Sequence, residues 1–183
     1  ARARGVLTLL DNTWATPLFQ SPHALGIDLV CHSVSKYLSG HSDVVAGAVT
    51  GSEEKIRQIH ATEFMQLGAT LDPFGAWLIL RGLRTLELRM QRHQESALKV
   101  ARALEAHPSV QHVHHPGLES HPQFHLTRTQ MQGTSGLFSF ELAIPGRSTK
   151  KDPLTPIQRF VDGLRHFLIA ISWGGYESLV FTP

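Results

Sequence analysis

The 183-residue chain lacks a strong charge of either sign: 17 Lys and Arg stand against 15 Asp and Glu, a formal +2 with its 12 histidines neutral. So weak a field argues against nucleic acid or an anionic membrane as the main partner. Long apolar runs are missing too. The longest, Ala76 to Leu80 and Phe167 to Ile171, fall far short of the roughly 20 residues that cross a bilayer, so no transmembrane helix is expected. A single cysteine, Cys31, excludes an internal disulfide, and the Arg-Ala-Arg-Gly opening leaves too few residues before Asp11 for a secretory apolar segment. A reducing, cytoplasmic setting is the expectation. Charged residues are also sparse, at 17% against 42% hydrophobic, the balance of a chain that folds around a core rather than a disordered one.

What is present begins with short apolar runs. Gly5 to Leu10 ends in Asp11 and is broken by Asn12, Thr13 and Pro17, which reads as a buried strand delivering a carboxylate at its carboxyl end. Ile27 to His32 and Val44 to Val49 repeat the pattern, with a crossover from Pro17 to Gly26. Strand, crossover, strand predicts a parallel α/β sheet, whose strand ends then carry Asp11, the Ser33–Lys36 segment and the Gly47 region. From Asp72-Pro73 to Pro108 the period becomes helical, with Leu83, Leu86, Met90, Ala97, Val100 and Leu104 on one face of one long helix or two in line. Gln111 to His114 and Gly136 to Leu142 read as strands separated by a polar loop. Residues 145–156 read as a linker, 157–167 as a short helix, and Leu168 to Ser172 as another strand. A change of domain is expected near residue 107. Apolar strands close to both ends leave surface that another segment or subunit must cover.

Two residue types in this arrangement suggest chemistry. Lys36 follows a buried strand among small hydroxyl residues and glycine, in Ser33-Val34-Ser35-Lys36-Tyr37-Leu38-Ser39-Gly40-His41-Ser42-Asp43. A lysine attacks an aldehyde only in its neutral form, which burial and cationic neighbours favour, and hydroxyls beside it suit a phosphate. Most lysines, though, are solvated surface charges. Asp11 could hold the pyridinium nitrogen of pyridoxal phosphate protonated while Lys36 forms a Schiff base at its aldehyde. It could equally cap the next helix with Asn12 and Thr13. Residue chemistry alone leaves both open.

Three segments bear on that choice: Asp11-Asn12-Thr13-Trp14-Ala15-Thr16-Pro17, the Ser33–Asp43 stretch, and Leu80-Arg81-Gly82-Leu83-Arg84-Thr85-Leu86. With His115-Pro116-Gly117-Leu118 and Ser172-Trp173-Gly174-Gly175-Tyr176-Glu177-Ser178-Leu179, they resemble, in order and approximate spacing, the Cys/Met-metabolism family of PLP-dependent transsulfuration enzymes. The last string looks most like the bacterial cystathionine β-lyase branch. The resemblance implies an α/β fold of the aspartate-aminotransferase-like (fold type I) class, present in part. Residues 1–106 would be the end of the PLP-binding large domain with its interdomain helix, and 107–183 the start of the small one. It implies pyridoxal 5'-phosphate as cofactor, Lys36 as the Schiff-base lysine and Asp11 as partner of the ring nitrogen. It further implies Ser33 and Ser35 as phosphate ligands, Ser172 and Trp173 as contacts to the substrate carboxylate, a sulfur-containing amino acid as substrate, and a homo-oligomer, dimer or tetramer. The implied reaction is elimination of a thiol from the β-carbon, with γ-synthase or γ-lyase chemistry, or an inactive assembly partner, as alternatives. Family members are roughly twice as long. Their ring-stacking tyrosine, phosphate loop and carboxylate-clamping arginine have no convincing counterpart here, Arg147 and Arg165 included, so a partial site, inactive unaided, is expected.

Other patterns carry blander readings. His112, His114, His115, His121 and His125 cluster, and His-Val-His on a strand puts two rings on one face, but only Glu119 is near as an acidic ligand, so no metal is assigned. Arg81, Arg84, Arg89 and Arg92 are interleaved with Glu87 and Glu95 and read as a solvated or subunit-facing surface. His41, Ser42 and Asp43 are adjacent and cannot orient one another as a triad does. Phe138 and Phe140 read as core residues on one strand face.

Overall fold

In the computed structural model, which describes residues 1–143 and 155–182, the strand–crossover–strand unit forms. β1 (Leu9–Asp11) pairs in parallel with β2 (Leu29–Ser33), Leu9 opposite Leu29 and Asp11 opposite Cys31. The Asp28 carboxylate, accepting from the Thr8 backbone N–H at 2.9 Å and the Thr8 hydroxyl at 2.8 Å, locks that register. Between the strands, α1 (Thr16–Phe19) and a 3-10 turn at Pro22–Leu25 make the crossover, and Gly26 turns the chain at φ 89°, a conformation costly for any residue with a Cβ.

The third strand corrects the expectation of a wholly parallel sheet. β3 (Gly47–Gly51) runs antiparallel to β2, Ser33 opposite Gly47, in the order β1-β2-β3. The connection at residues 34–46 contains no crossover helix. It folds straight back, with the Val34 and Ser35 amides both donating to the Ala46 carbonyl, and a direct return of this kind joins only antiparallel neighbours. The start of β3 therefore lies beside the end of β2, so the Gly47 region still reaches the edge that carries Ser33.

Next, α2 (Glu53–Ile59), capped by Ser52, runs through a π-type turn at His60–Phe64 into α3 (Met65–Leu67), helical structure that the apolar pattern did not announce. The long helical stretch is two helices, α4 (Pro73–Leu83) and α5 (Leu86–Glu105). The Asp72 carboxylate caps the first by accepting from the Phe74 and Gly75 amides, both at 2.9 Å. At the joint, Thr85 leaves helical geometry, with φ −110° and ψ 6°. The buried stripe of α5 is Leu86, Met90, Ala97 and Ala101, whereas Leu83 and Val100 turn out exposed.

Beyond α5, β4 (Val110–His114) pairs antiparallel with β5 (Ser139–Leu142). The intervening stretch, expected as loop, includes α6 (Phe124–Gln130). α7 (Pro156–Asp162) starts with a capping box from Thr155 and Gln158, and β6 (Leu168–Ile169) runs parallel to β7 (Leu179–Val180). The linker expected at 145–156, and Arg147 with it, falls largely outside the described residues. Among those described, no helix is long and apolar enough to cross a membrane.

One packed nucleus lies under the loop that follows β2. Tyr37, Leu86 and Met90 are buried together, with Phe19, Leu38 and Trp173 against them. Two imidazoles, His32 and His115, are buried around the molecule as well, and His93 is half-buried. Burial pushes His32, His93 and His115 below the usual histidine range; the Arg89 charge adds to this at His93, while Asp11 opposes it at His32. Each takes a proton less readily in the folded chain than once unfolded. Stability is therefore expected to be level above about pH 7.5 and to fall as pH drops through roughly 6.5, the ordinary imidazole value. Urea denaturation at stepped pH should show that loss, and His115→Gln should flatten it.

Candidate active site

The carboxyl ends of β1 and β2 are tied by one hydroxyl. Thr13 Oγ1 donates to Asp11 Oδ1 at 2.5 Å and accepts from the Ser33 backbone N–H at 2.7 Å. The Thr13 N–H also donates to Asp11 Oδ1, at 2.8 Å. These bonds hold the Asp11 carboxyl below the usual carboxylate range, so it remains an anion. Both Thr13 bonds fall on Oδ1 and leave Oδ2 open. From Ser33 the chain turns at once: the Lys36 N–H donates to the Ser33 carbonyl at 3.2 Å, which puts Lys36 within one turn of the strand end.

The predicted phosphate residues differ in state. Ser35 donates its hydroxyl to the Ala46 carbonyl and accepts from the Ala46 N–H, at 3.2 and 2.9 Å, so it braces the return to β3. Ser33 uses its backbone in the Thr13 tie, and its half-buried hydroxyl keeps no partner among the described residues.

Across the loop lies the segment after β6. The Lys36 ammonium donates to Ser172 Oγ at 3.1 Å and sits 4.5 Å above the centre of the Trp173 ring. The Trp173 indole N–H is buried without a partner among the described residues, and the side chain presents its ring face to the amine. Gly174, at φ 86°, lets that segment lie directly on the Lys36–Tyr37 peptide. Ser42 adds a second tie by donating to Glu177 Oε2 at 2.9 Å, while His41 bonds the Ser39 carbonyl instead of any triad partner. The fold thus brings Asp11, Ser33, Ser35 and Lys36 to one edge and sets Ser172 and Trp173 opposite the lysine.

An open, anionic Asp11 oxygen, a free Ser33 hydroxyl and a tethered primary amine match the three polar features of pyridoxal phosphate: ring nitrogen, phosphate and aldehyde. On these grounds the residues present fit that cofactor. Asp11 and Ser172 are nonetheless exposed, so this edge is one wall of a site rather than an enclosed pocket. A cavity of about 500 Å3 between α5 and the 117–134 segment, lined by Gln94, Arg102, Arg128 and Thr134 among others, contains none of these residues.

Sequence reasoning missed the supports. Arg89, read as a surface charge, is half-buried, and its guanidinium donates to the carbonyls of Tyr37 and Gly82, at 2.7 and 2.8 Å, and to Thr85 Oγ1 at 3.1 Å. It thereby fastens the lysine loop to the end of α4. Gly82 packs so closely there that a Cβ would stand 2.2 Å from the Ser39 carbonyl oxygen, and a glycine inside a helix was the available signal. Of the histidines clustered in sequence, His112 and His114 lie ring to ring at 6.4 Å, His114 bonds Glu141 at 2.7 Å, His115 is buried, and no group of three or more metal-type ligands forms among the described residues.

Comparison with known proteins gives the same picture. The family model described as Cys/Met metabolism PLP-dependent enzyme matches residues 1–183. A cystathionine β-lyase of Lactococcus lactis subsp. cremoris is 44% identical over 183 residues, covering 100% of this chain and 46% of the relative. A chloroplastic cystathionine γ-synthase of Nicotiana tabacum is 44% identical over 180 residues, covering 98% and 32%. The crystal structure of cystathionine γ-synthase from Xanthomonas oryzae pv. oryzae, in complex with aminoacrylate and cysteine, superposes with a TM-score of 0.87 at 43% identity, over 99% of this chain and 45% of that one. The chain therefore spans less than half the length of these relatives.

The glycine pair at 174–175 gives a direct test of the packing. A Cβ at Gly174 would meet backbone, 2.7 Å from Tyr37 N, whereas at Gly175 it would meet the movable ends of Glu177 and Ser42. Gly174→Ala is expected to cost about 1–3 kcal/mol, as overpacking does, and Gly175→Ala clearly less; urea denaturation of the two variants measures the difference.

Proposed function

Since the chain belongs to the Cys/Met metabolism PLP-dependent enzyme family and its fold is part of the aspartate-aminotransferase-like architecture, we propose that it serves carbon–sulfur bond cleavage in a sulfur-containing amino acid. The preferred reaction is conversion of cystathionine and water to homocysteine, pyruvate and ammonia. The observation that carries the reading is Lys36, tethered to Ser172 over Trp173 and joined to anionic Asp11 through Ser33 and Thr13. Bound pyridoxal phosphate supplies an electron sink for charge that develops at the substrate Cα.

The residues divide that work by position. Asp11 would hold a proton on the ring nitrogen through its open oxygen, which its lowered pKa allows. Ser33 donates its free hydroxyl to the phosphate, and Ser35 stiffens the loop below it. Lys36 would hold the cofactor through its amine and would be the group placed to move the Cα proton, and Ser172 and the Trp173 face restrain that amine. Ser172, exposed beside the amine, has room to meet the substrate carboxylate, and the Trp173 backbone completes that contact. We assign residues 1–106 to the large domain and 107–183 to the small one, divided where α5 ends ahead of Pro108. A homo-oligomer agrees with the exposed Phe74, Trp77 and Leu80 on α4.

A γ-synthase or γ-lyase reaction is the second reading, favoured by relatives of both names at similar identity. Pyridoxal phosphate added to the purified protein should give visible absorbance that borohydride fixes as a modified peptide containing Lys36, and Lys36→Ala should abolish it; label on another lysine overturns the assignment. With cystathionine as substrate, pyruvate marks β-cleavage and 2-oxobutyrate marks γ-cleavage.

A further inference from the structure

The edge that carries Asp11 and the loop that carries Lys36 are joined a second time, by a segment that the reaction chemistry does not use. The Leu137 peptide unit runs between them. Its N–H donates to the Tyr37 hydroxyl at 3.1 Å, and its carbonyl accepts from the Trp14 indole N–H at 2.8 Å. The Gly136 N–H donates to the same Tyr37 oxygen at 3.0 Å. Tyr37 directly follows Lys36, and Trp14 follows Thr13, the residue that holds the Asp11 carboxylate.

Tyr37 is fixed on every side. It is 1% exposed, packs on Leu86 and Met90, and meets the His93 ring edge-on at 5.2 Å. Its carbonyl is held by Arg89, and its amide lies against Gly174. A phenol in such a nucleus needs partners for its oxygen, and the two backbone donors it receives come from a segment about a hundred residues away. Trp14 is only half-buried, so its indole bond is not required to satisfy a buried donor.

We propose that the Gly136–Leu137 segment is a positioning bar, clamped by Tyr37 at the Lys36 end and by Trp14 at the Asp11 end, that fixes the separation and relative tilt of the amine and the carboxylate. The inference rests on the reading that Lys36 carries the cofactor. Tyr37 and Trp14 are positioning residues: neither touches the reacting atoms, and each acts through the residue next to it or one removed.

Tyr37→Phe removes the acceptor and keeps the ring, and Trp14→Phe removes the donor from the other end. Hydrogen exchange on the purified cofactor-free chain comes first. Both variants should exchange the Leu137 amide about tenfold faster than the parent, as expected for loss of a hydrogen bond near 1.4 kcal/mol; for Trp14→Phe this occurs although no bond to that amide was removed. Circular dichroism of the bound cofactor's visible band, after loading with pyridoxal phosphate, reads the tilt. Both variants should change the sign or at least halve the intensity of the band, and the double variant should add little to either. Unchanged Leu137 exchange in Trp14→Phe, or an unaltered band in both variants, overturns the bar. If Tyr37→Phe does not fold, Trp14→Phe alone decides by the same two measurements. If the parent itself fails to load at Lys36, the functional reading falls, whereas the exchange result still judges the bar.

Discussion

A single threonine hydroxyl sets the distance scale of this site. Thr13 faces two strand ends at once, giving its proton to the Asp11 carboxylate and receiving one from the Ser33 amide. Hydroxyls alone among neutral side-chain groups can do this with one oxygen. Because β1 and β2 are parallel and in register, both carboxyl ends arrive at one edge, and Thr13 closes the gap between them. The carboxylate keeps its charge, the Ser33 hydroxyl remains available, and Lys36 starts its turn from a fixed point.

Around that tie the protein spends packing where a chemical group must be held still. The lysine loop is gripped by backbone contacts: Arg89 on the Tyr37 carbonyl, Gly174 against the Tyr37 amide and Gly82 against the Ser39 carbonyl. An arginine that gives its donors to two carbonyls and a hydroxyl, and meets no carboxylate among the described residues, caps the end of α4 and ties down the loop together. By contrast, the edge that carries Asp11 and faces Ser172 is open, with both residues exposed. Support from within and openness toward the ligand are what one wall of a larger active site requires, in keeping with relatives more than twice as long.

Much of this was legible in the residues. Asp11, Ser33 and Lys36 sit at strand ends because apolar runs followed by polar breakers announce such ends, and Leu86, Met90 and Ala97 follow from a helical period, whereas that period pointed to Val100, which lies exposed, in place of the buried Ala101. The direction of β3 was not legible, since an apolar run of given length looks alike in either sense; it depended on whether residues 34–46 formed a helix or turned back on Ala46. The break at Thr85 was hidden because Leu83 and Leu86 keep a helical interval across it. α2 and α3 escaped notice because none of their residues is buried, so no apolar stripe marked them. Arg89, Tyr37 and Trp14 act through distant backbone groups, and nothing in local sequence tells a tethered arginine or phenol from one that merely lies at the surface or in the core.

The central claim is that Asp11 and Lys36 grip opposite sides of one pyridine ring. Pyridoxal phosphate labelled with 15N in the ring, bound to the protein and to Asp11→Asn, reports directly on the Asp11 side through the chemical shift of the ring nitrogen. A protonated nitrogen in the parent and an unprotonated one in Asp11→Asn, with the cofactor still bonded to Lys36 in both, is the predicted result. The same ring-nitrogen shift in both proteins would contradict it.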